Sequence, residues 1–215
     1  MERKQNDQTI EARGADLDRY EAMSAFAVPK IVLASASPRR AEILRLVGWD
    51  FEILPAAIDE SRRDGEDASS YVERLAHEKA EEAAARVPNR IIVGADTTVV
   101  IDGEILEKPR DTEDARRMLR LLQERWHEVV TGICVINNDS RTIGVAHQIT
   151  EVKFAPMSED EINWYVATGE PMDKAGGYAI QGLGARFIEE IHGDYLNVVG
   201  LPLRLLYEMI AKGQV

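Results

Sequence analysis

The sequence predicts an α/β fold, with strands and helices alternating along the chain. Three observations carry this. The chain opens as strand, tight turn and helix: Ile31–Leu33 is a β-branched apolar run, and Ser37-Pro38 then starts a segment with Ile43, Leu44 and Val47 on one face. The longest apolar run, Ile91 to Ile101, reads as a central strand, and Asp102-Gly103 after it is a hairpin turn signal. Two further strand-like runs, His127–Ile136 and Thr142–Phe154, flank the turn residues Asn137-Asn138-Asp139. With 215 residues the chain is long enough for one domain or two closely joined lobes with a substantial core.

Bulk composition narrows the classes. A hydrophobic fraction of 45% with 30% charged residues belongs to a soluble globular protein. The net charge of −12 argues against a broad nucleic-acid-binding surface, while leaving room for a small basic pocket. The single cysteine, Cys134, allows no intrachain disulfide and sits in the apolar run Ile133–Ile136, so it reads as core. The histidines at 77, 127, 147 and 192 lack zinc-ligand spacing. No stretch approaches the about 18 apolar residues of a membrane span. Residues 1–29 read as an extension in which Leu17, Tyr20, Ala25 and Phe26 suggest a short helix; its polar, mixed-charge composition is not that of a secretory signal. The reading is cytoplasmic, with no membrane or nucleic-acid partner.

From residue 30 onward each element carries its own signal. Ser37 is a strong N-cap residue and Pro38 suits the first helical position, but Arg39 and Arg40 then occupy a first turn whose dipole favours anions. A broken local rule of this kind marks a functional site. Free helix N–H groups, the hydroxyls of Ser35 and Ser37 and two guanidiniums together suit a polyphosphate. Phe51–Pro55 alternates as a second strand and leads to Asp59-Glu60, either a polar loop or a source of a metal ligand. Ser69 or Ser70 is expected to cap the next helix, whose apolar stripe is Val72, Leu75, Ala76, Ala80 and Ala83. Lys79 falls on that stripe; it either snorkels at its edge or points into a site.

Asp96 interrupts the central strand after the small residues Gly94 and Ala95. Aspartate is disfavoured in strands and costly to bury unpaired, so it reads as a metal ligand or general base, or as a hydrogen-bonded residue at a strand end. Lys108-Pro109 ends the hairpin's second strand. Asp111 or Thr112 caps a helix with Ala115, Met118, Leu119 and Leu122 inward. Ser158 with Glu161 is a capping box for a helix ended by Gly169. Five glycines, at 169, 176, 177, 182 and 184, then make a loop that lets backbone approach a ligand, with Tyr178 and Gln181 able to meet a base. Phe187–Ile191, Val198–Gly200 and a last helix started by Pro202, with Leu203, Leu206, Tyr207 and Ile210 inward, close the chain.

Taken together, Ser35-Ala36-Ser37-Pro38-Arg39-Arg40, Asp59-Glu60, Lys79-Ala80, Gly94-Ala95-Asp96-Thr97, Lys108-Pro109, His127-Glu128-Val129-Val130-Thr131-Gly132 and Asp173 to Gly182 occur in the order seen in Maf proteins, which the chain resembles over residues 30–215. The resemblance implies one Maf/ITPase-like α/β domain: an elongated mixed sheet with flanking helices and two lobes around a central cleft, commonly as a homodimer. It implies hydrolysis of a nucleoside triphosphate to the monophosphate and pyrophosphate with a divalent cation, Mg or Mn. The segment Asp173 to Gly182 looks like the branch acting on dTTP and UTP, a reaction that would also clear modified nucleotides. The rivals are a 7-methyl-GTP or other modified-nucleotide pyrophosphatase, and a non-enzymatic nucleotide-binding regulator of septum formation. Carried onto matching positions, Asp96 would be the proton acceptor, Arg39, Thr97 and Gln181 would set base choice, and Ser35, Arg40, Lys79 and Lys108 would line the polyphosphate site with Glu60 and Asp96 at the metal. Two departures stand out: Gln123-Glu124-Arg125-Trp126 occupies the place of a usual Ser-Gly turn, and Ala179 that of a common glycine.

Overall fold

The computed structural model describes residues 28–211. The expected short helix around Leu17 and Tyr20 lies outside them. The described strands are β1 (Ile31–Leu33), β2 (Phe51–Ile53), β3 (Ile91–Ile101), β4 (Glu104–Leu106), β5 (Trp126–Asn137), β6 (Thr142–Phe154) and β7 (Ile188–His192). The helices are α1 (Pro38–Leu46), α2 (Ala68–Ala84), α3 (Thr112–Leu122), α4 (Glu159–Ala167), α5 (Tyr195–Val199) and α6 (Leu203–Ala211). The strands form one mixed sheet in the order β2-β1-β3-β5-β6-β7, with β4 paired to β3 beside this path. β1 is parallel to β2 and β3, and the remaining pairs are antiparallel.

The sheet serves two cores. Near β1 the buried set includes Ile31, Leu33, Leu44, Val93, Ala95, Ile133 and Leu206. At the other end it includes Val99, Ile101, Leu106, Leu119, Phe154 and Tyr165. β3 runs through both, and its polar residues Asp96, Thr97 and Thr98 fall between Ala95 of one core and Val99 of the other. Thr131 of β5 stands opposite Thr97 in the same gap. The break in apolar pattern that singles out Asp96 in the sequence is therefore the seam between two lobes. Two glycines set the depth of α2 behind it. A Cβ on Gly94 would lie 2.0 Å from the Ala76 carbonyl oxygen, and one on Gly132 would lie 2.4 Å from that of Val72. Only glycine lets the helix backbone come this close, and the closeness brings Lys79 level with β3.

Most local signals hold, but Val47 does not join Ile43 and Leu44 in the core: it is the C-cap of α1 and is exposed. The Ser158–Glu161 capping box forms, and Asp111 caps α3 through the Asp114 N–H. α2 is capped by Asp67, which accepts from the Ser70 N–H, and not by either serine; the cap lies two or three residues upstream of them, where a carboxylate suits the helix dipole. Ser37 holds the N-cap position of α1 but makes no side-chain cap; its N–H donates to Ser35 Oγ instead. Glu124, in the turn before β5, adopts φ +60°, the left-handed conformation that a glycine takes without penalty. Ala179 is outside that region, so its methyl brings no backbone strain.

His127 lies under the cleft, 3% exposed, with Nε2 2.7 Å from Tyr178 Oη and its ring edge-on to Phe154 and Tyr178. Burial pushes its pKa down to about 4 from 6.5. A neutral histidine in the folded state and a titrating one in the unfolded state make stability full above pH 6.5 and falling as pH drops toward 4, by about 3 kcal/mol in all. The paired carboxylates Asp114 and Glu66, held at about 2, lose their contribution only at lower pH. The melting temperature is thus expected to fall between pH 7 and 4.5, and His127→Gln to flatten that fall. An equally steep decline in the variant would assign it to other groups.

Candidate active site

The seam opens as a cleft of about 540 Å³ lined by Ser35, Arg39, Arg40, Glu60, Lys79, Asp96, Thr97, Lys108 and Gln181, residues drawn from both lobes and from positions up to 146 apart in the chain. Its walls are the β1–α1 turn, the loop after β2, the inner face of α2, the middle of β3 and the glycine-rich loop.

Arg40 resolves the conflict at the start of α1. It is 8% exposed, and its guanidinium donates to the Gly200 carbonyl (2.7 Å), Ser35 Oγ (2.9 Å) and Thr97 Oγ1 (3.1 Å). Burial lowers its pKa, opposed by the nearby Asp96 and Glu60 carboxylates. Donor counting then fixes a directed chain. Arg40 only donates and the Asn197 carbonyl, 3.1 Å from Thr131 Oγ1, only accepts; Thr97 and Thr131 Oγ1 lie 2.9 Å apart between them. The Thr97 hydroxyl therefore accepts from Arg40 and donates to Thr131. This chain ties α1, β3, β5 and the α5–α6 segment into a stiff floor. Arg39 points the other way, toward the mouth, where its Nη1 pairs at 3.1 Å with Asp173 of the glycine-rich loop.

Lys79 is 7% exposed and reaches the site rather than snorkelling out. Its ammonium donates to Asp96 Oδ1 at 2.6 Å and pairs with Glu60 Oε1 at 2.7 Å. Burial works against the charged form of Glu60, but the Lys79 hydrogen bond and charge, with Lys108 and Arg40 nearby, hold its carboxyl below the ordinary range. Two hard oxygen donors thus converge on one cation. Among the described residues no three His, Cys, Asp or Glu side chains group to hold a metal unaided.

Gln181 is exposed on the glycine-rich loop at the cleft rim. Tyr178 differs from the expectation of a base contact: it is 5% exposed and its hydroxyl is turned to His127, so it anchors the loop from below. Three cleft-lining residues have no individual role predicted from the sequence, Asp173 standing there only as the start of the segment Asp173 to Gly182. Tyr71 Oη lies 2.8 Å from Glu107 Oε1 and 3.0 Å from the Glu60 carbonyl, fixing the Glu60 segment, and burial with Glu107 pushes its pKa up. Asp173 closes on Arg39 and on Lys174. Tyr71 sits at the edge of the α2 stripe and reads as packing; Glu107 and Asp173 stand among other charges and read as solvated.

The profile of the Maf-like protein family matches residues 30–213. The chain is 53% identical over 178 residues to a dTTP/UTP pyrophosphatase of Anaeromyxobacter dehalogenans, covering 81% of this chain and 89% of that protein. It is 48% identical over 183 residues to one of Symbiobacterium thermophilum, covering 85% and 93%. It is 46% identical over 184 residues to one of Pyrococcus furiosus, covering 86% and 95%. Among solved structures, the Staphylococcus aureus Ham1 protein superimposes with a TM-score of 0.47 at 16% identity, over 87% of this chain and 100% of that one.

Proposed function

Because this chain belongs to the Maf family, we propose that it is a nucleoside triphosphate pyrophosphatase that hydrolyses dTTP and UTP to the monophosphate and pyrophosphate. The observation that carries this reading is the meeting of Asp96, Glu60 and Lys79 in a cleft that the arginine-bearing start of α1 and Gln181 also line. That arrangement gives a triphosphate cationic walls, a carboxylate near its reacting bond and a polar amide at its base end.

In this reading the triphosphate lies against Arg40, Lys108 and Lys79, whose charges offset the negative charge developing on the pyrophosphate leaving group, while Arg39 and Thr97 stand with Gln181 for base choice. Asp96 accepts a proton from the water that attacks the α-phosphorus, and the α–β bridging bond breaks. The Lys79 hydrogen bond fixes the rotamer of the Asp96 carboxylate, so the base is already oriented before substrate arrives. The buried Arg40–Thr97–Thr131 chain keeps β3 in register with α1, which holds the base and the cationic wall at constant separation. A divalent cation fits the donor set: magnesium typically takes one or two carboxylates plus substrate phosphate oxygens, and Glu60 and Asp96 supply the two. When bound, such an ion neutralises phosphate charge. The reading keeps the cytoplasm, where the substrate is found, and the homodimer.

Gln181 carries base choice here, since its amide offers both donors and an acceptor to a pyrimidine edge. Gln181→Glu replaces the donors with a negative charge and is expected to lower kcat/KM for UTP and dTTP by about tenfold or more, the scale of one lost hydrogen bond of about 1.4 kcal/mol. Pyrophosphate release from a panel of UTP, dTTP, CTP, ATP and 7-methyl-GTP tests both the variant and the reading. Preference of the wild type for 7-methyl-GTP would move it to that substrate, and absence of release from every nucleotide would leave a binding protein. An unchanged profile in the variant would remove Gln181 from the specificity role.

A further inference from the structure

We propose that Glu170 and Tyr165, which line no part of the cleft, are positioning residues that set base selectivity by clamping both ends of the arc carrying Gln181. The inference rests on the function proposed above and extends it to residues behind the loop.

Glu170 opens a short 3-10 turn, Glu170–Asp173, immediately after α4. Its Oε1 accepts from Tyr165 Oη (2.8 Å) and the Gly184 N–H (2.9 Å), and its Oε2 accepts from the Leu183 N–H (3.0 Å). Its backbone carbonyl accepts from Lys174 Nζ at 2.7 Å. Tyr165 is wholly buried, and its hydroxyl also lies 3.1 Å from the Ala179 N–H. Directions follow from chemistry: a carboxylate accepts and an amide N–H donates, so the tyrosine hydroxyl donates to Glu170 and accepts from Ala179. Gln181 therefore sits between two tethers, one at Ala179 and one at Leu183 and Gly184, joined through a single Tyr–Glu hydrogen bond. Burial disfavours the charged form of Glu170, but the Leu183, Gly184 and Tyr165 donors with Lys174 outweigh it and keep the carboxyl below the ordinary range.

The fit leaves the arc no freedom to approach more closely. A Cβ on Gly182 would lie 2.6 Å from Glu170 Oε2, and one on Gly184 would lie 2.5 Å from Tyr165 Oη. The loop wraps the carboxylate, and Gly182, at φ +87°, turns the chain around it directly after Gln181. At the other end of the same 3-10 turn, Asp173 ties the start of the loop to Arg39 of α1. The amide of Gln181 is thus presented from a segment fixed at both ends, a requirement for reading the edge of a base rather than only its stacking face.

Glu170→Gln places an NH2 group against N–H donors and breaks the clamp on one side; Tyr165→Phe removes the hydroxyl that joins the two tethers while keeping the ring. In each, KM for UTP and dTTP is expected to rise about tenfold, as for loss of one charge-assisted hydrogen bond. Turnover should stay within about threefold, because Asp96 and Lys79 are untouched. The ratio of kcat/KM for UTP to that for ATP should fall about tenfold, a change that simple loss of stability does not produce. Melting curves run beside the kinetics identify a variant that is merely less stable, and Tyr165→Phe carries the test if Glu170→Gln does not fold. Folded variants with the wild-type UTP-to-ATP ratio would overturn the clamp while leaving the enzyme reading intact. A wild type that releases no pyrophosphate from UTP or dTTP would overturn both.

Discussion

Asp96→Asn is expected to lower kcat on UTP by at least about 10²-fold, the lower end of what general acid–base catalysis supplies. Asparagine matches aspartate in size and its carbonyl still accepts from Lys79, but it holds no proton-accepting charge. The fold should survive. Asp96 is one of two carboxylates on Lys79, and Glu60 at 2.7 Å remains as the countercharge. The stability loss should therefore be about 1 kcal/mol, the net worth of one hydrogen bond, rather than the about 3–5 kcal/mol of a buried charge left alone. Pyrophosphate release measured beside a thermal melt separates the cases. Turnover near that of the wild type would rule out Asp96 as the base, and loss of turnover together with unfolding would make it a structural residue.

What the sequence discloses about this site follows from how the site is built. Asp96 is visible because it interrupts an apolar strand, Lys79 because it sits on an apolar stripe, and Arg39 and Arg40 because they oppose a helix dipole. Each breaks a local rule, and the structure places all of them on one cleft. Glu107, Asp173 and Glu170 break none. A carboxylate in a charged loop has the same local pattern whether it clamps a backbone or faces solvent, so only the fold distinguishes them. Tyr178 is the opposite case. An aromatic in a glycine-rich loop suggests stacking on a base, but its partner His127 is 51 residues away and invisible to local pattern.

The fold divides in the same way. β6 spans Thr142–Phe154 as the sequence predicts, and Asp102-Gly103 takes the two positive φ angles, +51° and +79°, of a tight hairpin turn. These signals are local. The pairing of β1 with both β2 and β3 is not, and neither is α5, whose five residues are too few for a helical period. Yet α5 matters to the site: its Asn197, fully buried, donates to the Val129 carbonyl and lies 3.0 Å from Thr150 Oγ1, and its own carbonyl ends the hydroxyl chain from Arg40. The cap that starts it, Asp194 on the Leu196 N–H, and the Gly200 that ends it at φ +120° are both legible once the element is known.

Lys79→Met should cost both activity and stability, and the two losses should respond differently to magnesium. The side chain keeps its length and loses its charge, so Glu60 and Asp96 face each other with no ammonium between them. Removing one partner from a largely buried ion pair typically costs about 3–5 kcal/mol; Glu60 is half exposed, which argues for about 2–3 kcal/mol here. Pyrophosphate release should fall about 10²-fold or more, because a donor to the phosphates and the group orienting Asp96 are both lost. Added Mg²⁺ supplies a countercharge to the same two carboxylates, so it should raise the melting temperature of Lys79→Met by more than that of the wild type, by the linkage of a ligand that binds only the folded state. Restored stability without restored turnover is the expected pattern, since a metal can replace the ammonium's charge but not its hydrogen bond to Asp96. Equal shifts in the two proteins would remove Glu60 and Asp96 as metal ligands. Undiminished turnover in the variant would leave Lys79 as a purely structural countercharge.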